Sequence, residues 1–493
     1  MASNKIRMSG MVSGMDTEAL VTAMTSKYQT KIDKAKGDQK KLTWTQDAWK
    51  DMNTKIYGLY SGKLSTMRYE KTYSKKVTTS SSDAISVVAG DDANVGTMTA
   101  KVNSLAKAGY LTGGEIKTAS NGAVAQDTKV TELGIEAGIK ISFTVAGKSN
   151  EIEITEDMTM KGLTSKLREA GLNANFDVAN KRMFISAKET GKDNDFKFDD
   201  SAALGKLGLT KEKGASRIEG ADAELELNGA TFKSSSNTFT INGSTITAKE
   251  VTSDEVTLTT TNDVSGVYDT IKDFFKTYNE TMTEMSKAYN AESASKYQML
   301  TDEMKEVMSE KEVEDWENKI KSSLLRKDSK LSGVMQAMNM ALSEEIEIDG
   351  VKYTLADFGV EKQSYLSADA NSKNNYHISG DTDDEISSGK ADKLKAKIAE
   401  DPELVSKFFS ELSKKLYTAV DKKMGSTEYS SIYKVYDDKK MKKDYDDYTK
   451  KIADLETKMT AAEDRYYKRF AQMEKALSKL NDTNTALSGL FTS

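Results

Sequence analysis

The chain has 493 residues, of which 30% are charged and 37% hydrophobic, with 71 basic side chains, 77 acidic side chains and a net charge of −6. This length is enough for three or four domains of about 150 residues each. The near balance of charge argues against nucleic-acid binding, and no apolar stretch approaches the ~18 residues that membrane insertion requires.

The chain contains no cysteine and a single histidine. There is no Cys, so disulfides, thiolate nucleophiles and Cys metal sites are excluded. The single histidine, His377, cannot supply the two imidazoles of a zinc-protease helix, and we interpret it as a solvated loop residue. We therefore predict a protein that is not an enzyme and has no metal or cofactor. The carboxylates are too numerous for a glycosidase pair to be recognised or dismissed.

Proline is also rare, with Pro402 as the only one. Prolyl isomerisation takes tens of seconds and can limit folding, so this chain can refold quickly. Two explanations stay open: a lineage bias or helix-rich fold, and a protein that is delivered unfolded and folds at its destination. Pro402 itself suits the first position of a helix capped by Asp401.

Residues 16–69 are predicted to be helical. Asp16 is the expected N-cap, with Glu18 in the first turn. A strongly charged stretch, "KIDKAKGDQKK", separates two apolar stripes, so the first half needs a partner to be stable. The first stripe comprises Leu20, Met24, Tyr28, Ile32, Ala35 and Leu42, and the second comprises Trp49, Met52, Ile56, Leu59 and Met67.

From about residue 75 to 262 alternating apolar residues replace the helical period, which is typical of strands. Asn228-Gly229 and Asn242-Gly243 lie between such alternations and predict two hairpin turns. One predicted strand face comprises Ile139, Ile141, Phe143 and Val145.

A short helix interrupts the strands at residues 160–171. Leu163 and Leu167 are expected to point inward, and Gly171 to end the helix. We interpret the region as two β-rich domains. The inner one is formed by residues 75–120 plus 216–263, and the outer one by residues 121–215.

Helices return at residue 264 and again at 390–424. The first of these has a core stripe with steps of three and four residues. The stripe comprises Val267, Ile271, Phe274, Tyr278, Met282, Met285 and Tyr289.

The C-terminal helix has the strongest periodicity, averaging 3.5 residues over five heptads, as in a coiled-coil seam. A long helix of an intramolecular bundle is the alternative. Asn484 lies on the stripe, and Leu490 and Phe491 follow near the end. The seam comprises Ile452, Leu455, Met459, Ala462, Tyr466, Phe470, Met473, Leu477, Leu480, Asn484 and Leu487.

Five segments resemble, in the same order, the flagellar hook-associated protein 2 family, the cap of the flagellar filament. The first matches a G-x-x-S-G-x-D pattern before a helix rich in Leu, Val and Met, here Gly10, Ser13, Gly14 and Asp16. The other segments are residues 220–247, 269–280, 353–360 with 401–409, and the C-terminal heptad helix.

The resemblance implies a non-catalytic cap at the filament tip that promotes folding and insertion of exported flagellin. It implies a ring-like homo-oligomer, contacts with flagellin and with hook–filament junction proteins, and an export chaperone before secretion. Export is expected through the flagellar type III apparatus, without a cleaved signal peptide. Another axial flagellar protein, or a filament-borne adhesin that binds host-surface glycans or proteins, is the alternative.

The predicted fold class is therefore α+β multidomain. Both chain ends form a coiled-coil leg (1–42 plus 450–493) and a helical bundle (43–74 plus 264–449), and the two β-rich domains are inserted between them. The predicted oligomer or filament interface comprises Leu20, Met24, Ile452, Leu455, Met459, Leu477, Leu480, Leu487, Leu490 and Phe491.

Overall fold

The computed structural model describes residues 12–364 and 368–491, with side chains up to residue 488. The chain folds into two compact units. One is formed by the residues up to Tyr73 together with those from Tyr268 onward, and the other is Ser74–Val267. Helices at both ends and antiparallel sheets in the middle confirm the predicted α+β multidomain class.

Helices form most of the first unit, and the short helices and turns between residues 130 and 213 belong to the second unit. A π-helical turn, Leu59–Leu64, continues the first helix, and short 3-10 turns lie at Glu70–Tyr73, Val130–Leu133, Lys211–Lys213 and Leu355–Phe358. The α-helices are α1 (Thr17–Gly58), α2 (Ser65–Met67), α3 (Met160–Glu169), α4 (Ala202–Lys206), α5 (Val264–Tyr289), α6 (Asp302–Glu306), α7 (Glu310–Ser322), α8 (Ser329–Ser343), α9 (Lys393–Glu400), α10 (Pro402–Lys423) and α11 (Asp438–Phe491).

Strands form most of the second unit. They are β1 (Lys76–Ser80), β2 (Ile85–Ala89), β3 (Gly96–Ser104), β4 (Tyr110–Thr112), β5 (Lys140–Val145), β6 (Lys148–Glu153), β7 (Leu172–Asp177), β8 (Arg182–Ala187), β9 (Phe196–Phe198), β10 (Ser216–Ile218), β11 (Ala223–Leu227), β12 (Ala230–Ser234), β13 (Thr238–Ile241), β14 (Ser244–Ala248), β15 (Val256–Asn262), and, in the first unit, β16 (Ile346–Ile348), β17 (Val351–Tyr353), β18 (Val360–Lys362) and β19 (Tyr376–Ile378).

Two sheets enclose the core of the inner β region, in the orders β1-β15-β3-β11-β12 and β13-β14-β2. Leu225, Phe239 and Leu258 are among its buried side chains. Both predicted hairpins are present, because Asn228 and Asn242 adopt the positive φ that such a turn requires.

The outer β region has its own core and two sheets, β10-β4-β8-β7 and β6-β5-β9. Leu163 and Leu167 of α3 are buried in it, as predicted. Ile139 is exposed, which corrects its predicted place on the strand face, because β5 begins one residue later.

The boundary between the two β regions also differs from the predicted one. Strands β4 and β10 fall inside the inner domain predicted at 75–120 plus 216–263, yet both belong to an outer sheet through the pairing of β4 with β8. The chain passes from the inner to the outer β region, and back again, close to the isolated β-bridge between Lys107 and Ala221. A three-residue strand has too few alternating apolar and polar positions for the sequence to indicate which sheet it joins.

The helical bundle confirms the α5 stripe, whose members from Val267 to Met285 are buried. Asp401 caps α10 by accepting a hydrogen bond from the Leu404 amide at 3.0 Å, with Pro402 in the first turn. No helix in the described part of the chain has the length and apolar character that crossing a membrane requires.

His377 corrects its interpretation as a solvated loop residue. It lies in β19, largely buried, with Nδ1 2.7 Å from Asp384 Oδ2. The reason is tertiary: the Asn279 side chain of α5 donates to the Tyr376 carbonyl at 2.7 Å and accepts from its amide at 2.9 Å. This brings the polar segment onto the bundle.

Candidate assembly interface of the terminal helices

Helices α1 and α11 pair in antiparallel orientation. The Gln39 amide donates to Thr449 Oγ1 at 2.7 Å, whereas Lys36 lies 3.2 Å from Glu456, further along α11. Nearer the N-terminus, the Val12 amide donates to Glu474 Oε2 at 2.9 Å. Partner positions therefore rise along α11 as positions fall toward the N-terminus along α1, which is the order expected of an antiparallel pair.

One end of this pair is firmly attached to the bundle. Trp49 of α1 is buried and stacks on Tyr436, with ring centroids 5.5 Å apart. The buried Asn53 side chain donates to the Tyr433 carbonyl at 3.2 Å and accepts from the Val435 amide at 3.0 Å. Since both groups of the amide are satisfied, the segment before α11 is held against α1.

At the other end of α1 the predicted stripe is only partly buried. Leu20 and Met24 are 39% and 51% exposed. The buried positions on this part of the helix are Thr17, Val21, Thr25, Ile32 and Ala35. Ile32 and Ala35 of the predicted stripe are therefore buried, whereas near the start of the helix the buried positions are the neighbours of Leu20 and Met24. The assignment of Leu20 and Met24 to an interface between molecules stays a prediction.

A threonine is tolerated on the buried side because the helix satisfies it. The Thr25 hydroxyl donates to the Val21 carbonyl at 2.9 Å, one turn earlier. A buried threonine removes less apolar surface from water than a large apolar side chain would. The contact between the helices is consequently weak in this half.

The seam of α11 divides into two parts. Ile452, Leu455 and Met459 are half-buried in the helix pair. Leu477, Leu480 and Leu487 follow Glu474, whose hydrogen-bond partners are Val12 and Ser13, and are exposed, Leu480 by 70%. The side chains of Leu490 and Phe491 lie outside the described residues.

A turn at the start of the described chain binds one carboxylate. Glu474 accepts hydrogen bonds from the Val12 amide, the Ser13 amide at 3.4 Å and the Ser13 hydroxyl. These bonds, with that of the Ser13 side chain first, hold the pKa of Glu474 below its usual range. Gly14 has φ of +69°, and Asp16 accepts from the Ala19 amide at 2.9 Å as the predicted N-cap.

Sequence reasoning did not identify Glu474. The Ser-Gly-x-Asp pattern showed where a turn and a helix start, but no local signal links it to a residue 461 positions away. Among the described residues, no grouping of acidic residues or histidine is arranged to hold a metal ion. The features that the terminal helices do show are exposed apolar side chains and the pairing of α1 with α11.

Comparison with known proteins decides the family. The model for the Flagellar hook-associated protein 2 C-terminus matches residues 220–482, which is more than half of the chain. The chain belongs to the flagellar hook-associated protein 2 family. The model for the N-terminus of the same family matches residues 13–109. A member of this family is a filament cap protein of the flagellum, so the predicted structural role is confirmed, and the alternative roles are not favoured.

Individual relatives agree. Flagellar hook-associated protein 2 of Halalkalibacterium halodurans is 22% identical over 548 aligned residues, covering 99% of this chain and all of the relative. That of Thermotoga maritima is 28% identical over 179 residues, covering 35% of this chain and 28% of the relative.

A crystal structure of the D1–D2–D3 domains of the flagellar cap protein FliD from Escherichia coli has a similar fold. Its TM-score is 0.52 at 20% identity, with 76% of this chain and 95% of that chain covered. At this identity the likeness concerns the fold alone.

Proposed function

We propose that this chain acts at the extracellular tip of the filament as a non-catalytic, ring-forming homo-oligomer that promotes folding and insertion of exported flagellin. It would contact flagellin and the hook–filament junction proteins, and bind an export chaperone before passing unfolded through the flagellar type III apparatus. Family membership supports the capping role. The near absence of proline and the absence of cysteine support rapid folding after export.

The observation that carries the proposal is the exposed apolar stripe on α11. Leu477, Leu480 and Leu487 extend the heptad seam beyond the helix pair, and Leu20 and Met24 add exposed apolar surface on α1. Contiguous apolar surface that no described residue covers is typical of an interaction site. We assign it to contacts with neighbouring subunits and with the filament end.

The test is a double substitution, Leu477→Ser with Leu480→Ser. Because neither side chain packs against the described core, the melting temperature in calorimetry should stay unchanged. Filament growth should fail, and flagellin should appear in the culture supernatant as monomer. The matched control is Lys475→Ser with Lys479→Ser, which changes two exposed residues of the same helical turns.

Normal filaments with normal flagellin retention in the double Leu variant would overturn the role of this stripe. A large fall in melting temperature would show instead that the stripe serves an intramolecular bundle. Light scattering with chelator and reductant present should still detect higher-order species of the unmodified chain, since the ring is expected to need no metal or disulfide. A strict monomer at all concentrations would contradict the ring.

A further inference from the structure

Two tyrosine rings are stacked where the π-helical turn Leu59–Leu64 meets α10. The ring centroids of Tyr60 and Tyr417 are 4.5 Å apart, with an interplanar angle of 20°. Their phenol oxygens are 2.7 Å apart. Aromatic pairs in proteins usually have centroids about 4.5–7 Å apart and favour offset or edge-to-face rings. The centroid distance of this pair is therefore at the close end of that range, and the rings also approach each other at their hydroxyl ends.

A carboxylate stands at the end of this pair. The Tyr60 hydroxyl donates to Asp421 Oδ1 at 2.6 Å, so the Tyr417 hydroxyl is the donor to Tyr60. Burial, and then the Asp421 carboxylate, raise the pKa of Tyr60 well above its usual range. Tyr60 consequently keeps its proton at neutral pH, and Asp421 is placed to receive that proton when an electron leaves the ring.

Tyr60 itself is buried, but two exposed tyrosines connect it with the surface. The ring of Tyr57 is 6.0 Å from that of Tyr60, and the ring of Tyr433 is 6.3 Å away. They are 37% and 44% exposed. The Arg68 guanidinium lies 4.4 Å from the ring centroid of Tyr417, where its charge disfavours electron loss from that ring.

We propose that Tyr60 and Tyr417 form an oxidative coupling site, at which hydrogen peroxide and a haem peroxidase join them as dityrosine. Each phenol loses one electron and its hydroxyl proton, and the two radicals form a carbon–carbon bond between ortho carbons. The two ortho hydrogens then move to the oxygens and restore both phenols. Hydrogen peroxide takes up the two electrons and two protons and becomes two water molecules.

This inference is independent of the capping role and concerns the stability of the helical unit. The two residues are 357 positions apart. A covalent link over such a distance restricts the unfolded chain, as a disulfide does. The chain contains no cysteine, so dityrosine would supply the cross-link that a disulfide cannot.

The experiment treats the full chain at low concentration with peroxidase and hydrogen peroxide, followed by tryptic digestion and mass spectrometry. We expect dityrosine fluorescence in the monomer and a linked pair of peptides, 56–63 with 416–422, lighter than their sum by two hydrogen atoms. Fragment ions distinguish Tyr60 from Tyr57. The treated monomer should melt at a higher temperature than the untreated one.

Two variants and one control complete the test. Tyr417→Phe should lose the linked peptides while keeping the melting temperature of the untreated chain, because the ring remains. Asp421→Asn should slow the coupling, since the proton acceptor is lost. Tyr69→Phe, which removes an exposed phenol beside Arg68, should couple normally. A link that persists in Tyr417→Phe, one that maps to Tyr57 with Tyr433, links only between molecules, or no link at all would each overturn the proposal.

Discussion

The two halves of helix α1 differ in what they bury, although the helix is continuous from Thr17 to Gly58. In the second half Trp49 and Ile56 are completely enclosed by the bundle. In the first half the large Leu20 and Met24 face solvent, and threonines occupy part of the buried side. The same backbone geometry is thus stabilised by a core at one end and by a thin contact with α11 at the other.

This difference shows that helix continuity does not imply uniform stability. Fully burying a large apolar side chain contributes about 1.5–3 kcal/mol, and most such side chains of α1 lie in its second half. The first half is therefore expected to open without loss of the bundle. Such independence suits a segment whose final partners are other subunits.

The largest expected effect is a core truncation in α10, compared with the same truncation in α11. Leu416 is 0% exposed, so Leu416→Ala should lower the free energy of unfolding by about 2–5 kcal/mol. Leu480→Ala, at an exposed position of α11, should change it by less than about 0.5 kcal/mol. Urea unfolding followed by circular dichroism measures both. Equal losses would show that the end of α11 belongs to the folded core.

A smaller loss is expected at the attachment of the two helices. Asn53→Ala leaves the Tyr433 carbonyl and the Val435 amide without their side-chain partner in a buried position. The cost should be about 1–3 kcal/mol in the same unfolding experiment. Thr54→Ala, at the exposed neighbouring position, is the control and should be nearly neutral. An unchanged free energy of unfolding in Asn53→Ala would show that these two hydrogen bonds do not stabilise the bundle.

Limited proteolysis compares the two regions without substitution. Trypsin should first cut at Lys475 and Lys479, and then within the first half of α1, because the helices bury few side chains there. The bundle around α10 should persist as a stable fragment. Mass spectrometry of the early products identifies the sites. If α10 were cleaved early while both chain ends stayed intact, the bundle would be the less stable of the two regions, contrary to this prediction.

The smallest expected effect is the pH dependence of the contact between Glu474 and the Val12–Ser13 turn. The folded-state pKa of Glu474 is lowered by the Ser13 hydrogen bonds, so its contribution is present above the ordinary Glu pKa of about 4.3 and is lost as pH falls through the folded value. The hydrogen-exchange protection factors of the Val12 and Ser13 amides, which correct for the intrinsic pH dependence of amide exchange, should be above one at pH 7 and close to one at pH 3. Glu474→Gln should lower the protection at pH 7 and leave it unchanged at pH 3. Protection factors that change neither with pH nor with the substitution would contradict this contact.

Local sequence chemistry determined much of the fold. Asn-Gly pairs fix hairpin turns because the backbone there needs positive φ, and both predicted turns are present. Asp16 and Asp401 start helices because a side-chain oxygen can accept an otherwise unpaired amide. The apolar stripe of α5 predicted its buried face correctly, because its steps of three and four residues are regular from Val267 to Met285. The motifs, taken together, also identified the family.

Tertiary packing decided what periodicity leaves ambiguous. Leu20 and Val21 are neighbours on one helix, and only the position of α11 determines which of them is buried. The contact of Glu474 with Ser13 and the stacking of Tyr60 on Tyr417 join residues hundreds of positions apart. A sequence records the spacing of residues along one element, whereas the pairing of distant elements depends on the shape and packing of the whole unit.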